Sequence, residues 1–265
     1  MNNNVRDDEH TLFLKIKDKY VYLIAFFVGI IALTIGFLPF IGPFIIYTNA
    51  FSGANIEEMV NNFQEKIIEY EGVFLLLTEI VGIGIIVLVF RKVFIDDFKK
   101  IKTHYLRFII CVVAGMLAIY LFGELFEWLQ VKLNIDGTSE NQEMIEMTLT
   151  GNAKWLMIIS VAIGAPIFEE CIFRKFLYGY LSRTKLHIIL NIIITAFVFA
   201  LIHCTSEDFS TGTAYFFLAN YLTLSLSLTI SYVLSKENIY ASILIHIFNN
   251  TLSLIFFFGV LNVVI

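Results

Sequence analysis

The stretch Val73–Phe90, with the sequence VFLLLTEIVGIGIIVLVF, contains one charged residue, Glu79. A helix needs about 20 mostly apolar residues to cross the hydrocarbon core of a bilayer. Because lipid offers no hydrogen bonds, such a run must satisfy its own backbone polar groups, which an α-helix does. The stretch therefore predicts a transmembrane helix with an acidic side chain inside it.

The rest of the chain repeats this pattern. Further apolar stretches predict spans at residues 20–47, 106–128, 155–181, 187–203, 213–234 and 239–265. Pro39 and Pro43 predict a kink or an end in the first of these, and a re-entrant segment there would change the number of spans. The sequence Gly164-Ala165-Pro166 predicts a break in the span at 155–181. We therefore expect an all-α, polytopic transmembrane helical bundle of about seven spans.

The composition agrees with this fold class. Hydrophobic residues make up 58% of the chain and charged residues 15%, and the mean hydropathy is +0.80. Soluble domains are nearer half apolar and a quarter charged. The net charge of −5 indicates no nucleic-acid partner. The three cysteines form no C-x-x-C pair, so neither a zinc knuckle nor a disulfide framework is indicated.

Lysine and arginine concentrate at alternate ends of the predicted spans. One side holds Arg6, Lys15, Lys17, Lys19, Arg91, Lys92, Lys99, Lys100, Lys102, Arg107, Lys175, Arg183, Lys185 and Lys236. The other side holds only Lys66, Lys132 and Lys154. The positive-inside rule then places the N-terminus in the cytoplasm. The polar segment 1–19 lacks the pattern of a cleaved signal peptide, and we expect it to be cytoplasmic.

Two adjacent acids lie in the span at 155–181. An ionisable side chain inside a membrane helix costs about 2.5–3.5 kcal/mol on insertion scales and indicates function. Glu170 and Arg174 are spaced i, i+4, so they share a helix face and can pair. Glu169 points about 100° away from Glu170 on a helix, which leaves it available for chemistry. The alternative is a solvated helix end near the cytoplasm.

Three more polar residues lie in later spans. His203 ends the span at 187–203, where an interfacial histidine is the ordinary alternative. His246 and Asn250 are spaced i, i+4 and face one direction, although a helix–helix polar contact worth about 0.6 kcal/mol would explain them too. Glu79 is expected to pair within the bundle. A single site requires the side chains of Glu169, His203 and His246 to converge.

These residues resemble the CAAX protease and bacteriocin-processing family of intramembrane endopeptidases. The family pattern is Glu-Glu-x-x-x-Arg, then Phe-x-x-x-His, then His-x-x-x-Asn. The chain has Glu169-Glu170-Cys-Ile-Phe-Arg174, Phe199-Ala-Leu-Ile-His203 and His246-Ile-Phe-Asn-Asn250. The resemblance covers about residues 155–251. One departure is Lys175, where many members have glycine.

The resemblance implies an intramembrane peptidase that hydrolyses peptide bonds. It implies that Glu169 is the general base, that His203 helps to bind water, and that His246 and Asn250 stabilise the oxyanion. Glu170 and Arg174 would brace the site. The catalytic core would then be residues 151–265, following N-terminal spans in residues 20–150.

Metal use stays open at this point. Glu169, His203 and His246 could hold one zinc ion with an open position, but the chain has no H-E-x-x-H helix. A glutamate base without a metal fits equally well.

The partners expected are the lipid bilayer and a peptide or lipid-linked peptide substrate. The use of Asn, Ile and Lys suggests an AT-rich bacterial genome, so the membrane we expect is a bacterial plasma membrane. A bacteriocin self-immunity or scaffold protein using the same motifs is the alternative, and a transporter would predict an inverted repeat that the sequence does not show.

Overall fold

A computed structural model describes residues 18–49, 52–53 and 55–264 of the chain. The cytoplasmic segment predicted at 1–19, with Arg6, Lys15 and Lys17, lies almost wholly outside the described residues. Every regular element within the described ranges is a helix. They are α1 (Asp18–Ile35), α2 (Leu38–Thr48), α3 (Ile56–Thr103), α4 (Tyr105–Leu133), α5 (Glu140–Thr148), α6 (Lys154–Leu181), α7 (Ile188–His203), α8 (Gly212–Leu234) and α9 (Ile239–Val264).

The helices form a polytopic membrane bundle, as predicted. Among the described residues, six helical stretches are long and apolar enough to cross a membrane, with α1 and α2 counted as one stretch. The remaining predicted span, at 187–203, corresponds to the apolar helix α7. Its 16 residues extend about 24 Å at 1.5 Å per residue. That length is shorter than the ~30 Å hydrocarbon core.

The first span is interrupted close to its prolines, as predicted. Helix α1 ends at Ile35, and α2 begins at Leu38 with Pro39 in its first turn. A proline is tolerated there because the first N–H groups of a helix have no intrahelical partner. Pro43 lies inside α2 without ending it.

Helix α3 is much longer than the predicted span at 73–90. It runs for 48 residues, with a kink at Phe90, through parts of the sequence that were predicted as loops. Both polar ends of α3 are stabilised. The Asn55 side chain caps the first turn, and lysines lie in the last turn, where positive charge is favourable. Hydropathy does not detect such flanks, since they are helical without being apolar.

The break predicted at Gly164-Ala165-Pro166 is wrong, because α6 continues through it. Two π-helical segments, Ser160–Gly164 and Cys171–Tyr178, lie on either side of the α-helical turn Ala165–Glu170. Pro166 falls in the first turn of that α-helical segment, directly after the first π segment, and has no N–H to donate to the preceding turn. The helix continues past Pro166 into the second π segment.

Helix α6 lies at the centre of the core. Every residue from Cys171 to Tyr178 is buried. Phe173 packs edge-on against Phe26 of α1 and Phe199 of α7. This packing fixes the rotation of α6, and with it the directions of Glu169, Glu170 and Arg174.

Candidate active site

The side chains of Glu169, His203 and His246 converge. Oε2 of Glu169 lies 3.6 Å from Nε2 of His203 and 3.9 Å from Nε2 of His246. The side chains are 12%, 13% and 4% exposed, respectively. Residues from three separate helices thus meet at one carboxylate oxygen. A single site requires this convergence.

The helices meet this condition by extending to different depths. Glu169 lies 12 residues before the end of α6 at Leu181, whereas His246 lies 7 residues after the start of α9 at Ile239. Because their side chains meet, α6 continues about 8 Å further beyond the site than α9 does, at 1.5 Å per residue.

Each histidine presents the same ring nitrogen to Glu169. Nδ1 of His203 lies 2.9 Å from the carbonyl oxygen of Phe199, and Nδ1 of His246 lies 2.9 Å from Oε1 of Glu170. Both partners can only accept, so each Nδ1 carries a proton and donates it. Both Nε2 atoms therefore face Glu169 with a lone pair when the rings are neutral. The His203 ring also stacks on Phe199, with centroids 4.2 Å apart.

Glu170 and Arg174 form a fully buried ion pair beneath these groups. Nη1 of Arg174 donates to Oε1 of Glu170 at 2.8 Å, and both side chains are 0% exposed. Nη2 donates to the hydroxyl of Ser225 at 2.8 Å and to its carbonyl oxygen at 3.2 Å. The guanidinium lies 4.7 Å from the ring centroid of Phe199. The pair links α6 to α7 and α8, and Glu170 also orients His246.

Asn250 lies close to these groups but contacts none of them. Its Nδ2 donates to the carbonyl oxygen of Val161 at 2.9 Å, and its Oδ1 accepts from Asn249 at 3.1 Å. Val161 belongs to the first π segment of α6. His246 and Asn250 share a helix face, but they bind different partners, because His246 binds Glu170 and Asn250 binds Val161.

The structure adds residues that the motifs do not contain. Tyr221 of α8 lies against the His203 ring, with centroids 5.1 Å apart, and its hydroxyl bonds to Ser139 beside α5. Glu79 of α3 accepts a hydrogen bond of 2.7 Å from the Ser160 hydroxyl, which supplies the partner expected within the bundle. Only Glu79 carries a sequence signal, a lone charge in an apolar span.

Within the described residues, no group of three His, Cys, Asp or Glu side chains is placed to hold a metal ion.

The arrangement is suited to binding and polarising a water molecule. Oε2 of Glu169 is buried and has no hydrogen-bond partner among the described residues. Two atoms 3.6 Å apart can both lie within about 2.8 Å of one water oxygen. A water in this position could donate a hydrogen bond to Oε2 of Glu169.

A protein-family model matches part of the chain. The family model for the type II CAAX prenyl endopeptidase Rce1-like proteins matches residues 151–252. The matched region contains all seven residues of the three motifs, and the resemblance to CAAX proteases is confirmed there. Because this is a protease family, the match supports an intramembrane endopeptidase. No curated protein and no solved structure matches the chain.

Proposed function

We propose that the protein is an intramembrane endopeptidase in which Glu169 activates a water molecule for attack on a peptide bond. The observation that carries the proposal is the convergence of Oε2 of Glu169 with Nε2 of His203 and His246. A carboxylate held in an apolar interior with two imidazoles has the groups that base-assisted hydrolysis needs.

The reaction follows from these positions. As the water oxygen bonds to the carbonyl carbon, one water proton passes to Glu169 and the carbonyl oxygen becomes an oxyanion. When the carbon–nitrogen bond breaks, Glu169 returns that proton to the leaving amine and is a carboxylate again. A well-placed base of this kind contributes about 10²–10⁴-fold to the rate.

His246 and Asn250 are the proposed donors to the oxyanion. Since Nδ1 of His246 is committed to Glu170, this ring donates from Nε2 only when it is doubly protonated. The Asn250 amide binds Val161 through one N–H and has a second to offer. A donor to an oxyanion contributes about 10²–10³-fold to the rate.

The substrate reaches the site from the side of Glu169 and His203. These two side chains keep 12% and 13% exposure, whereas Glu170 and Arg174 behind them are closed off. We propose a membrane-associated, lipid-linked or small peptide whose scissile bond enters at this opening, in a cell membrane with the N-terminus of the enzyme in the cytoplasm.

The experiment compares wild type with Glu169→Gln. Each purified protein is incubated in lipid vesicles with fluorogenic peptides, namely a farnesylated peptide ending in a CAAX sequence and its unmodified counterpart. We expect Glu169→Gln to lower kcat by at least 10²-fold while the protein stays folded, because the amide cannot accept the proton. Glu124→Gln, at an exposed carboxylate of α4, is the matched control. Cleavage that survives Glu169→Gln in folded protein contradicts the proposal.

The same assay tests the proposed absence of a metal step. We expect wild-type protein dialysed against a chelator to keep its activity. Loss of activity that one equivalent of zinc restores would assign the role of Glu169 to metal binding instead.

A further inference from the structure

His203 lies where its own helix supports it least. It is the last residue of α7, and the ends of helices fray. The proposed function needs its Nε2 held beside Oε2 of Glu169, which lies 3.6 Å away. The direction of the imidazole ring therefore has to be fixed by the contacts around it.

Two aromatic rings contact the His203 imidazole. Phe199 stacks on it, with centroids 4.2 Å apart and planes inclined at 23°, and the Phe199 carbonyl oxygen accepts from Nδ1. Phe199 lies one turn earlier in the same helix, so its contacts move with His203. Tyr221 reaches the imidazole from α8, with centroids 5.1 Å apart and planes inclined at 35°. Aromatic rings attract one another at such separations, so Tyr221 ties the imidazole to a second helix.

Tyr221 is itself held by the start of α5. Its hydroxyl lies 2.9 Å from the Ser139 hydroxyl and accepts a hydrogen bond of 3.2 Å from the Asn141 amide. Ser139 is 5% exposed and caps α5 by accepting from the Gln142 N–H. Because the tyrosine hydroxyl lies at the far end of the side chain, these two bonds fix the direction of the whole ring.

A further contact fixes α5 to the connection between α7 and α8. The Glu140 N–H donates to the Glu207 carboxylate at 2.8 Å, and Glu207 lies four residues after His203. The start of α5 is thus bonded to α8 through Tyr221 and to the α7–α8 connection through Glu207. Residues 139–141 lie outside the region that the family model matches, so the three motifs do not include this support.

We propose that Tyr221 is a positioning residue that holds the His203 imidazole toward Glu169. Ser139 and Asn141 hold Tyr221 in that position. Tyr221 neither gives nor takes a proton in the reaction, because its hydroxyl is bonded to these two residues. It acts through the direction of the His203 ring. The inference rests on the proposed function, because it concerns the histidine beside the water that Glu169 activates.

Replacing Tyr221 separates its ring from its hydroxyl. In the fluorogenic peptide assay we expect Tyr221→Ala to lower kcat at least tenfold with KM changed less than twofold, because the His203 ring is no longer held. Tyr221→Phe keeps the ring and loses both hydroxyl bonds, so we expect its kcat to be about threefold below wild type. Tyr215→Ala, at a 59% exposed tyrosine of the same helix, is the control and keeps wild-type kcat. Near-ultraviolet circular dichroism checks that each variant is folded.

Ser139→Ala tests whether α5 holds Tyr221. It removes one hydroxyl bond of Tyr221 together with the cap of α5, and we expect kcat to fall about threefold. In the Tyr221→Phe background the same cap is lost but no tyrosine hydroxyl remains to be released, so we expect no further fall. All of these variants keep an aromatic ring at position 221, so the comparison does not depend on the folding of Tyr221→Ala.

The His203 ring can also be observed without cleavage. In protein labelled with ¹⁵N-histidine in micelles, a long-range ¹H–¹⁵N NMR spectrum at alkaline pH shows which nitrogen of each neutral ring carries the proton. His203→Gln identifies the signal of His203 among the five histidines. We expect the proton on Nδ1 in wild type and in Tyr221→Phe, and exchange between the two nitrogens in Tyr221→Ala.

Three results overturn the inference: a kcat for folded Tyr221→Ala within threefold of wild type, an unchanged His203 signal in that variant, or equal losses from Ser139→Ala in both backgrounds. If wild type cleaves no better than Glu169→Gln, the proposed function itself fails, and the His203 signal still tests the contact with Tyr221. The two failures are therefore distinguishable.

Discussion

Replacing Arg174 with methionine tests whether the buried ion pair supports the site. Arg174 is 0% exposed, and it bonds at 2.8 Å to Glu170 and at 2.8 Å to the Ser225 hydroxyl. Methionine has a similar length and no charge, so it fills much of the space. The change leaves the Glu170 carboxylate buried with His246 as its remaining partner.

The expected loss of stability is large because an uncompensated buried charge is costly. Removing one partner of a buried pair costs about 3–5 kcal/mol, and we expect Arg174→Met to lower the free energy of unfolding by that amount. Denaturant unfolding in detergent micelles measures it. The control is Lys99→Met, whose ion pair with Asp96 spans 3.5 Å with side chains 69% and 52% exposed. Exposed pairs contribute about 0–1 kcal/mol.

A double variant separates stability from chemistry. Adding Glu170→Gln to Arg174→Met removes the stranded charge, so part of the lost stability returns. Activity is not expected to return, because the neutral amide does not replace the charge-assisted hydrogen bond between Glu170 and Nδ1 of His246 that orients this ring. If Arg174→Met costs less than 1 kcal/mol, or if the double variant regains wild-type kcat, the assignment of this pair as the support of His246 is wrong.

Two further changes test the proposed oxyanion donor Asn250 and the ion pair in the C-terminal part of α6. We expect Asn250→Ala to lower kcat by about 10²–10³-fold with little change in KM. The control Ser253→Ala, at an exposed hydroxyl one turn later, leaves kcat unchanged. Equal kcat values for the two variants would remove Asn250 from the mechanism. We expect Asp97→Ala to lower the free energy of unfolding by about 3–5 kcal/mol, because it strands the buried ammonium of Lys175. Asp96→Ala, on the exposed side of α3, costs less than about 1 kcal/mol, and similar costs for the two variants would contradict the argument.

Hydropathy and local spacing predict much of the fold and part of the site. Apolar runs locate the membrane helices because lipid selects for them residue by residue. The spacing i, i+4 predicts that Glu170 and Arg174 share a helix face, and the structure forms that pair. The same spacing in His246 and Asn250 gives a shared face as well, but it does not reveal that the two side chains bind different partners.

The remaining features depend on contacts between segments that are distant in sequence. The π segments of α6 place Val161 where Asn250 can bind its carbonyl oxygen, and no pattern within α6 specifies that partner. Lys175 departs from the glycine that is common in the family, and it pairs with Asp97 of α3 while donating to the carbonyl oxygen of Glu237. Local patterns cannot identify partners that lie 62 or more residues away.

Helix α3 holds α6 on both sides of the candidate site. Glu79 and Asp97 are 5% and 1% exposed, and they lie on α3 before and after its kink at Phe90. Glu79 binds α6 at Ser160, before Glu169, and Asp97 binds it at Lys175, after Arg174.

Asp97 also accepts from the backbone N–H of Ile239 at 3.0 Å, which fixes the start of the helix that carries His246. A shift of α6 along α3 would therefore break both buried carboxylate contacts and move Glu169 away from His246. The spans before residue 150 thus set the geometry of a site whose motif residues all lie after it.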